Sequence, residues 1–395
     1  MDFNFSTATK IVFGRSKIKE IVKALPMMGK RALIVTNKIK DPEYTNIDSI
    51  REQGFDIENE LHSKGMETQR FIVSSEPSIE LIEAGIAFAK KNNIEVLVGI
   101  GGGSAIDSAK AISAILANSG DCIDYLEVIG KGKQITKKSL PFVAVPTTSG
   151  TGAEVTANAV LSSQEHNVKV SLRSPLMIAD LAIIDPELTM SVPAAITAST
   201  GLDALTQVIE PFVSKVPNPI TDSLCREGMK RASRSLCKAY MDGSDIEARE
   251  DMSVASLFGG MSLANAKLGA VHGFAGPLGG LYHGPHGAIC AALLAHVVEI
   301  NVRAMKERDA DNPNLERYTE VAKIITNNPK ATVEDGVRWI ADLVKTLKIK
   351  GLSAYGMKEE DFPHIIEMSA VSSSMKGNCI ELTQQEMNEI LSKAM

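Results

Sequence analysis

Two loops hold the residues whose types and spacing point most directly to chemistry. Gly101, Gly102, Gly103 and Ser104 follow the β-rich run at residues 94–100 and lead into residues 105–112, a good helix former. Glycines at a strand-to-helix turn let the backbone approach a ligand closely. The free N–H groups and the dipole at the helix start then attract an anion, and a pyrophosphate is the natural occupant. A second loop, residues 146–156, follows another β-rich run and carries Thr147, Thr148, Thr151 and two glycines, groups suited to hydrogen-bonding a nucleotide. A tight turn alone would explain one such loop. The strand and helix context and the presence of a second loop favour nucleotide binding.

These loops need a sheet to position them. Runs rich in β-branched residues at 32–36, 94–100 and 142–146 alternate with helical patterns, which predicts a parallel sheet covered on both faces, a doubly wound, Rossmann-like α/β domain. After residue 186 the texture changes to Ala/Leu/Met-rich stretches. Helices are expected at 194–206, 222–240, 253–268, 288–302 and 333–347, so the second domain should be all-α. A chain of 395 residues exceeds what one core usually serves, and the boundaries read as 1–192 and 193–395. With no Gly/Ser linker between them, the two domains are expected to meet in a ligand-binding cleft.

Composition excludes several classes. The hydrophobic share is 44% and the charged share 23%, the balance of an ordinary globular protein. A net charge of −6 with scattered Lys and Arg argues against a nucleic-acid partner. No apolar run reaches the roughly 20 residues of a membrane span, and Met1-Asp2-Phe3-Asn4-Phe5 lacks the features of a signal peptide. A cytoplasmic protein without membrane contact is expected. Cys122, Cys225, Cys237, Cys290 and Cys379 are odd in number and never form a Cys-x-x-Cys pair, so they read as reduced packing residues, with neither disulfides nor a zinc-thiolate site.

The chain resembles a known family on five motifs: G-G-G-S-A-I-D-S-A-K at 101–110, P-T-T-S-G-T-G-A-E-V-T at 146–156, D-P-E-L-T at 185–189, G-L-D-A-L-T at 201–206 and P-H-G at 285–287. Their types and order are similar to those of the iron-containing (group III) alcohol dehydrogenases across nearly the whole length. The resemblance implies a dinucleotide-binding domain followed by a helical domain that holds Fe2+ or Zn2+. By the same resemblance Gly101, Gly102, Gly103, Ser104 and Asp107 would hold the pyrophosphate, and Thr147, Thr148, Thr151 and Lys169 would line the nucleotide cleft. Where many members carry an Asp that repels a 2′-phosphate, this chain has Asn37 followed by Lys38, which leaves both NAD and NADP open as cofactors.

The resemblance also implies a metal bound by an Asp, a His one helical turn later and two further His residues. Asp203, His272 and His286 occupy three of these positions, and Gln207 stands at the fourth. Residues 203 and 207 are four apart in an expected helix and share a face, but an amide oxygen is a weaker donor than imidazole, so lower metal affinity is expected. One turn after His272, where many relatives have another His, this chain has Gly276, and His283 could return an imidazole to the cleft.

The expected reaction is hydride exchange between a nicotinamide and a small alcohol or aldehyde, with the metal as Lewis acid and Asp203, His272, His286 and His283 as catalytic residues. Three rivals differ in class: a metal-independent reductase like the maleylacetate reductases, an NAD-using lyase like dehydroquinate synthase, and a binding protein with a decayed site. The strand-like start, residues 3–14, is expected to pair with another subunit, giving a homodimer or a higher homo-oligomer.

Overall fold

The computed structural model describes residues 2–40, 44–127, 129–163, 165–166 and 168–395. Met1, part of the N-terminal pentapeptide read above, lies outside them. Contacts divide the chain into two units. One holds Ser6–Thr148 and Gly152–Ser191, and the other holds Met1–Phe5, Ser149–Thr151 and Val192–Met395. The break near residue 192 falls where the β-branched runs stop, while Ser149–Thr151 of the second loop groups with the helical unit.

The first unit contains strands β1 (Lys10–Phe13), β2 (Arg31–Lys40), β3 (Tyr44–Thr45), β4 (Glu67–Val73), β5 (Val96–Gly101), β6 (Phe142–Pro146), β7 (Asn158–Ser163), β8 (Val168–Arg173) and β9 (Leu181–Ile184). Its helices are α1 (Ile21–Ala24), α2 (Asn46–Glu52), α3 (Ile57–Ser63), α4 (Ile79–Lys91) and α5 (Gly103–Ala117). Strands pair in parallel in the order β1-β9-β6-β5-β2-β4. β3 adds antiparallel to the far end of β2, and β7–β8 form a separate hairpin. β5 and β6 are buried along their whole length, as near-continuous apolar runs covered on both faces require.

Lys10–Phe13 pairs with β9 of the same chain, Lys10 against Leu181, because β9 would otherwise leave its outer backbone groups unpaired. That stretch therefore uses one of its edges within the chain and forms the outer strand of the sheet.

The second unit holds α6 (Ala194–Ile209), α7 (Pro219–Met241), α8 (Ile246–Asn265), α9 (Ala270–Tyr282), α10 (His286–Arg308), α11 (Asn314–Ile325), α12 (Val333–Thr346), α13 (Phe362–Ala370) and α14 (Gln384–Lys393). Among the described residues no strand follows Ile184. α10 is long and apolar enough to cross a membrane, yet 83% of that stretch is buried inside the molecule, so its all-round apolarity reflects a core position.

Below the loops a polar knot ties α5 to the segment leading to β7. Lys110 is fully buried. Its Nζ donates to Ala153 O at 2.8 Å, Thr156 Oγ1 at 2.9 Å and Asn158 O at 2.7 Å. Glu154 is buried nearby, and burial pushes its carboxyl up to about 7 from 4.5, opposed by a backbone hydrogen bond and the Lys110 charge. A carboxyl with a raised pKa binds its proton more tightly in the folded state, so its contribution is full below about 4.5 and is lost as pH rises to about 7. Glu154→Gln is therefore expected to raise Tm over wild type at pH 8 by several degrees, at roughly 2–4 °C per kcal/mol. The gap should close at pH 5 in paired thermal melts.

Candidate functional site

The order of the sheet selects the place where a ligand meets it. From β2 the chain moves outward to β4 and then returns to the other side of β2 as β5. The carboxyl ends of β2 and β5 thus flank a topological switch point, the usual ligand crevice of an open α/β sheet. Asn37 near the end of β2 accepts a hydrogen bond from Gly102 N–H through Oδ1 at 2.8 Å. A Cβ at Gly101 would lie 2.3 Å from that oxygen and 2.8 Å from Ala105 Cβ, so only glycine fits there. Gly102 caps α5 without any side-chain hydrogen bond to its first turn, which leaves a 15-residue helix start open to an anion. Thr147 N–H donates to Gly101 O at 2.9 Å, Asn46 Nδ2 donates to Thr147 Oγ1 at 3.1 Å, and Thr148 borders Gly102.

Asn37, Gly101, Gly102, Gly103, Ser104, Thr147 and Thr148 are thus gathered at one crevice. Two expected members are placed elsewhere. Asp107 accepts from Val160 N–H at 3.1 Å and lies 3.5 Å from Lys110 Nζ. Its carboxylate ties α5 to the hairpin. Lys169, on β8, is ion-paired with Glu76 at 2.7 Å, which takes up the charge that the nucleotide was expected to use. Thr151 groups with the helical unit.

The second constellation is built by three helices of the helical unit. α6 presents Asp203 and Gln207, and Glu210 caps its end in the same helical conformation, so the three, spaced four, three and seven apart, lie along one face. α9 supplies His272 and α10 supplies His286 in its first turn. A Cβ on Gly287 would come within 2.1 Å of Ser199 O, so this glycine lets α10 pack directly on α6. α9 is a poor helix former, with four glycines and an internal Pro277, and burial holds it against propensity. Its start is fixed from α6, since Glu210 accepts from Val271 N–H at 2.7 Å and pairs with His272 Nδ1 at 2.6 Å.

That pairing sets the tautomer. With Nδ1–H donated to Glu210, His272 points Nε2 toward Asp203 Oδ1, 3.4 Å away, where a neutral ring offers its lone pair to a cation. His286 Nε2 is 3.9 Å from the same oxygen and 3.7 Å from Cys290 Sγ. One donor atom each from Asp203, His272, His286 and Cys290 lies within 4.8 Å of every other, the one such metal-competent group among the described residues. Asp203 Oδ1 and Gln207 Oε1 are buried without a hydrogen-bond partner. Lone pairs converging on a dry site with nothing to accept them fit a cation. His286 is 38% exposed while Asp203 is 2% exposed, so the group opens on one side.

Electrostatics point the same way. Burial alone would raise Asp203, yet the neighbouring imidazoles of His272 and His286 hold its carboxyl below the usual range. Burial would raise Cys290 too, and the two imidazoles bring it down instead. His286 is raised, chiefly by the Cys290 charge, and His272 is raised although burial opposes it.

Sequence comparison agrees with this geometry. Residues 8–186 match the family model "Iron-containing alcohol dehydrogenase", and residues 197–395 match "Fe-containing alcohol dehydrogenase family, C-terminal". The chain belongs to the iron-containing alcohol dehydrogenase family. It is 36% identical over 367 residues to alcohol dehydrogenase 4 of Saccharomyces cerevisiae, covering 92% of this chain and 91% of the relative. It is 32% identical to the NAD-dependent methanol dehydrogenase of Bacillus methanolicus over 99% of this chain and 100% of the relative. Among solved structures, a 1,3-propanediol oxidoreductase superposes with a TM-score of 0.89 at 32% identity, covering all of both chains. Membership in this alcohol dehydrogenase family makes the chain an oxidoreductase acting on CH–OH groups.

Some residues of this family member depart from the sequence reading. His283 is exposed and left-handed at φ 53°, ending α9, and it stands outside the cluster. Cys290 is corrected from a packing residue to a member of the cluster, since it lies one turn after His286 on the same face of α10. Glu210 and Asn46 were missed. Position 210 could have been found by continuing the 203/207 face one further turn, whereas nothing local marks Asn46. Glu210→Gln keeps the shape but removes the carboxylate that fixes His272. Competition with a chelating dye should report metal affinity about 10- to 100-fold weaker.

Proposed function

We propose that this chain exchanges hydride between NAD(P)(H) and a small alcohol–aldehyde pair, with Fe2+ or Zn2+ held by Asp203, His272 and His286 beside Gln207. The observation that carries the reading is the acceptor-only cluster, with Asp203 Oδ1 buried and unpartnered between two imidazoles. When bound, the cation supplies Lewis acidity at the substrate oxygen, and the nicotinamide supplies the hydride chemistry.

The chain's own groups prepare the rest. Glu210 keeps His272 in one tautomer and orientation. Asp203 lends negative charge in a site that excludes water on most sides. Gly101, Gly102, Gly103 and Ser104 offer the pyrophosphate an open helix start, with Asn37 pinning the turn. Nothing lies within 4 Å of a Cβ built at Gly276, which supports substrates larger than the smallest alcohols. The reading includes a cytoplasmic homodimer in which the strand-like start, residues 3–14, pairs with another subunit.

Metal-depleted protein is expected to lose its aldehyde-dependent NAD(P)H oxidation and to regain it with one added divalent ion. His272→Ala should lower kcat/KM by about 10²- to 10³-fold, the usual loss when electrostatic stabilisation is removed. A variant lacking both imidazoles that is metal-free yet turns over at the wild-type rate rejects the metal, and turnover without net NAD(P)H consumption rejects the dehydrogenase. Asn37→Asp should cut kcat/KM for NADPH relative to NADH by roughly tenfold or more, because a carboxylate would face the 2′-phosphate.

A further inference from the structure

We propose that Cys290 Sγ is the fourth protein ligand of the metal, in the role that Gln207 does not fill, making an Asp-His-His-Cys site suited to zinc. The inference rests on the metal-assisted reading above and deepens it. Cys290 is fully buried in the helical core, and its sulfur stands 3.7 Å from His286 Nε2 and within 4.8 Å of the donor atoms of Asp203 and His272. A four-coordinate ion with bonds of about 2.0–2.3 Å needs ligand atoms roughly 3.3–3.7 Å apart. The separations of 3.4, 3.7 and 3.9 Å already come close to that figure.

Gln207 fits a different task. It is buried one turn after Asp203 on α6, where an amide can orient the carboxylate as the outer partner of a ligand does. The amide carbonyl is neutral and hard, whereas a thiolate is anionic and soft and favours zinc. His286 and Cys290 are spaced one helical turn apart on α10, so one rigid element delivers both an imidazole and a sulfur to the same point. The ligand lost from α6 is replaced from α10.

Cobalt(II) reports a bound thiolate by an intense near-ultraviolet charge-transfer band, independently of turnover. The purified full-length protein is stripped of metal and titrated with Co2+. The wild type is expected to show this band with saturation at one Co2+ per chain. Cys290→Ser should still bind Co2+, about 10- to 100-fold more weakly and without the band, and Gln207→Ala should keep the band. Co2+ bound to wild type without a thiolate band overturns the proposal and leaves the metal-assisted reading standing, as does a band that survives in Cys290→Ser. Failure of the wild type to bind Co2+ or Zn2+ at all overturns both.

Discussion

A carboxylate oxygen and two imidazole nitrogens are held face to face in a nearly dry pocket, and much of the helical unit is arranged around that contact. Asp203 is brought there by a helix that is buried along most of its length, and Gly287 removes the side chain that would keep α10 at a distance. Such a grouping is unfavourable by itself, because desolvated acceptors repel and have no water to satisfy them. It persists because Glu210 takes up the far side of His272 and the N–H of Val271 together, so one carboxylate anchors both a side chain and the start of α9. The positive end of that helix favours the anion that anchors it.

The nucleotide crevice follows a different logic. There the backbone is the working surface, and side chains serve to expose it. Asn37 holds Gly102 N–H, Gly101 has no room for any Cβ, and α5 begins without a side-chain cap. Beneath it Lys110 spends its ammonium on two backbone carbonyls and the Thr156 hydroxyl. A conspicuous lysine in the glycine-rich motif is thereby a strut for the loop, and Asp107 beside it belongs to the same scaffold.

What could be read from the sequence was whatever a local pattern encodes. The parallel sheet announced itself in continuous β-branched runs, and the glycine turn in its position between a strand and a helix. Asp203 and Gln207 were linked by a spacing of one turn, and His272 and His286 were paired through family resemblance. What escaped depended on contacts distant in the chain. α9 is a helix despite four glycines and a proline because its surroundings bury it, a case of packing overriding propensity. Cys290 looked like any core thiol until α10 turned it toward His286. The charge of Lys169 was absorbed by Glu76, 93 residues earlier, which no spacing rule anticipates.

The division of labour among the three helices has a mechanical side. Asp203, Gln207 and Glu210 come from α6, while His272, His286 and Cys290 come from α9 and α10, joined by a turn at His283, Gly284 and Pro285. An ion gripped by both groups acts as a rivet through the middle of the helical unit, converting mutual repulsion into cohesion. Catalytic competence and the tightness of the surrounding bundle are then secured by a single fastening.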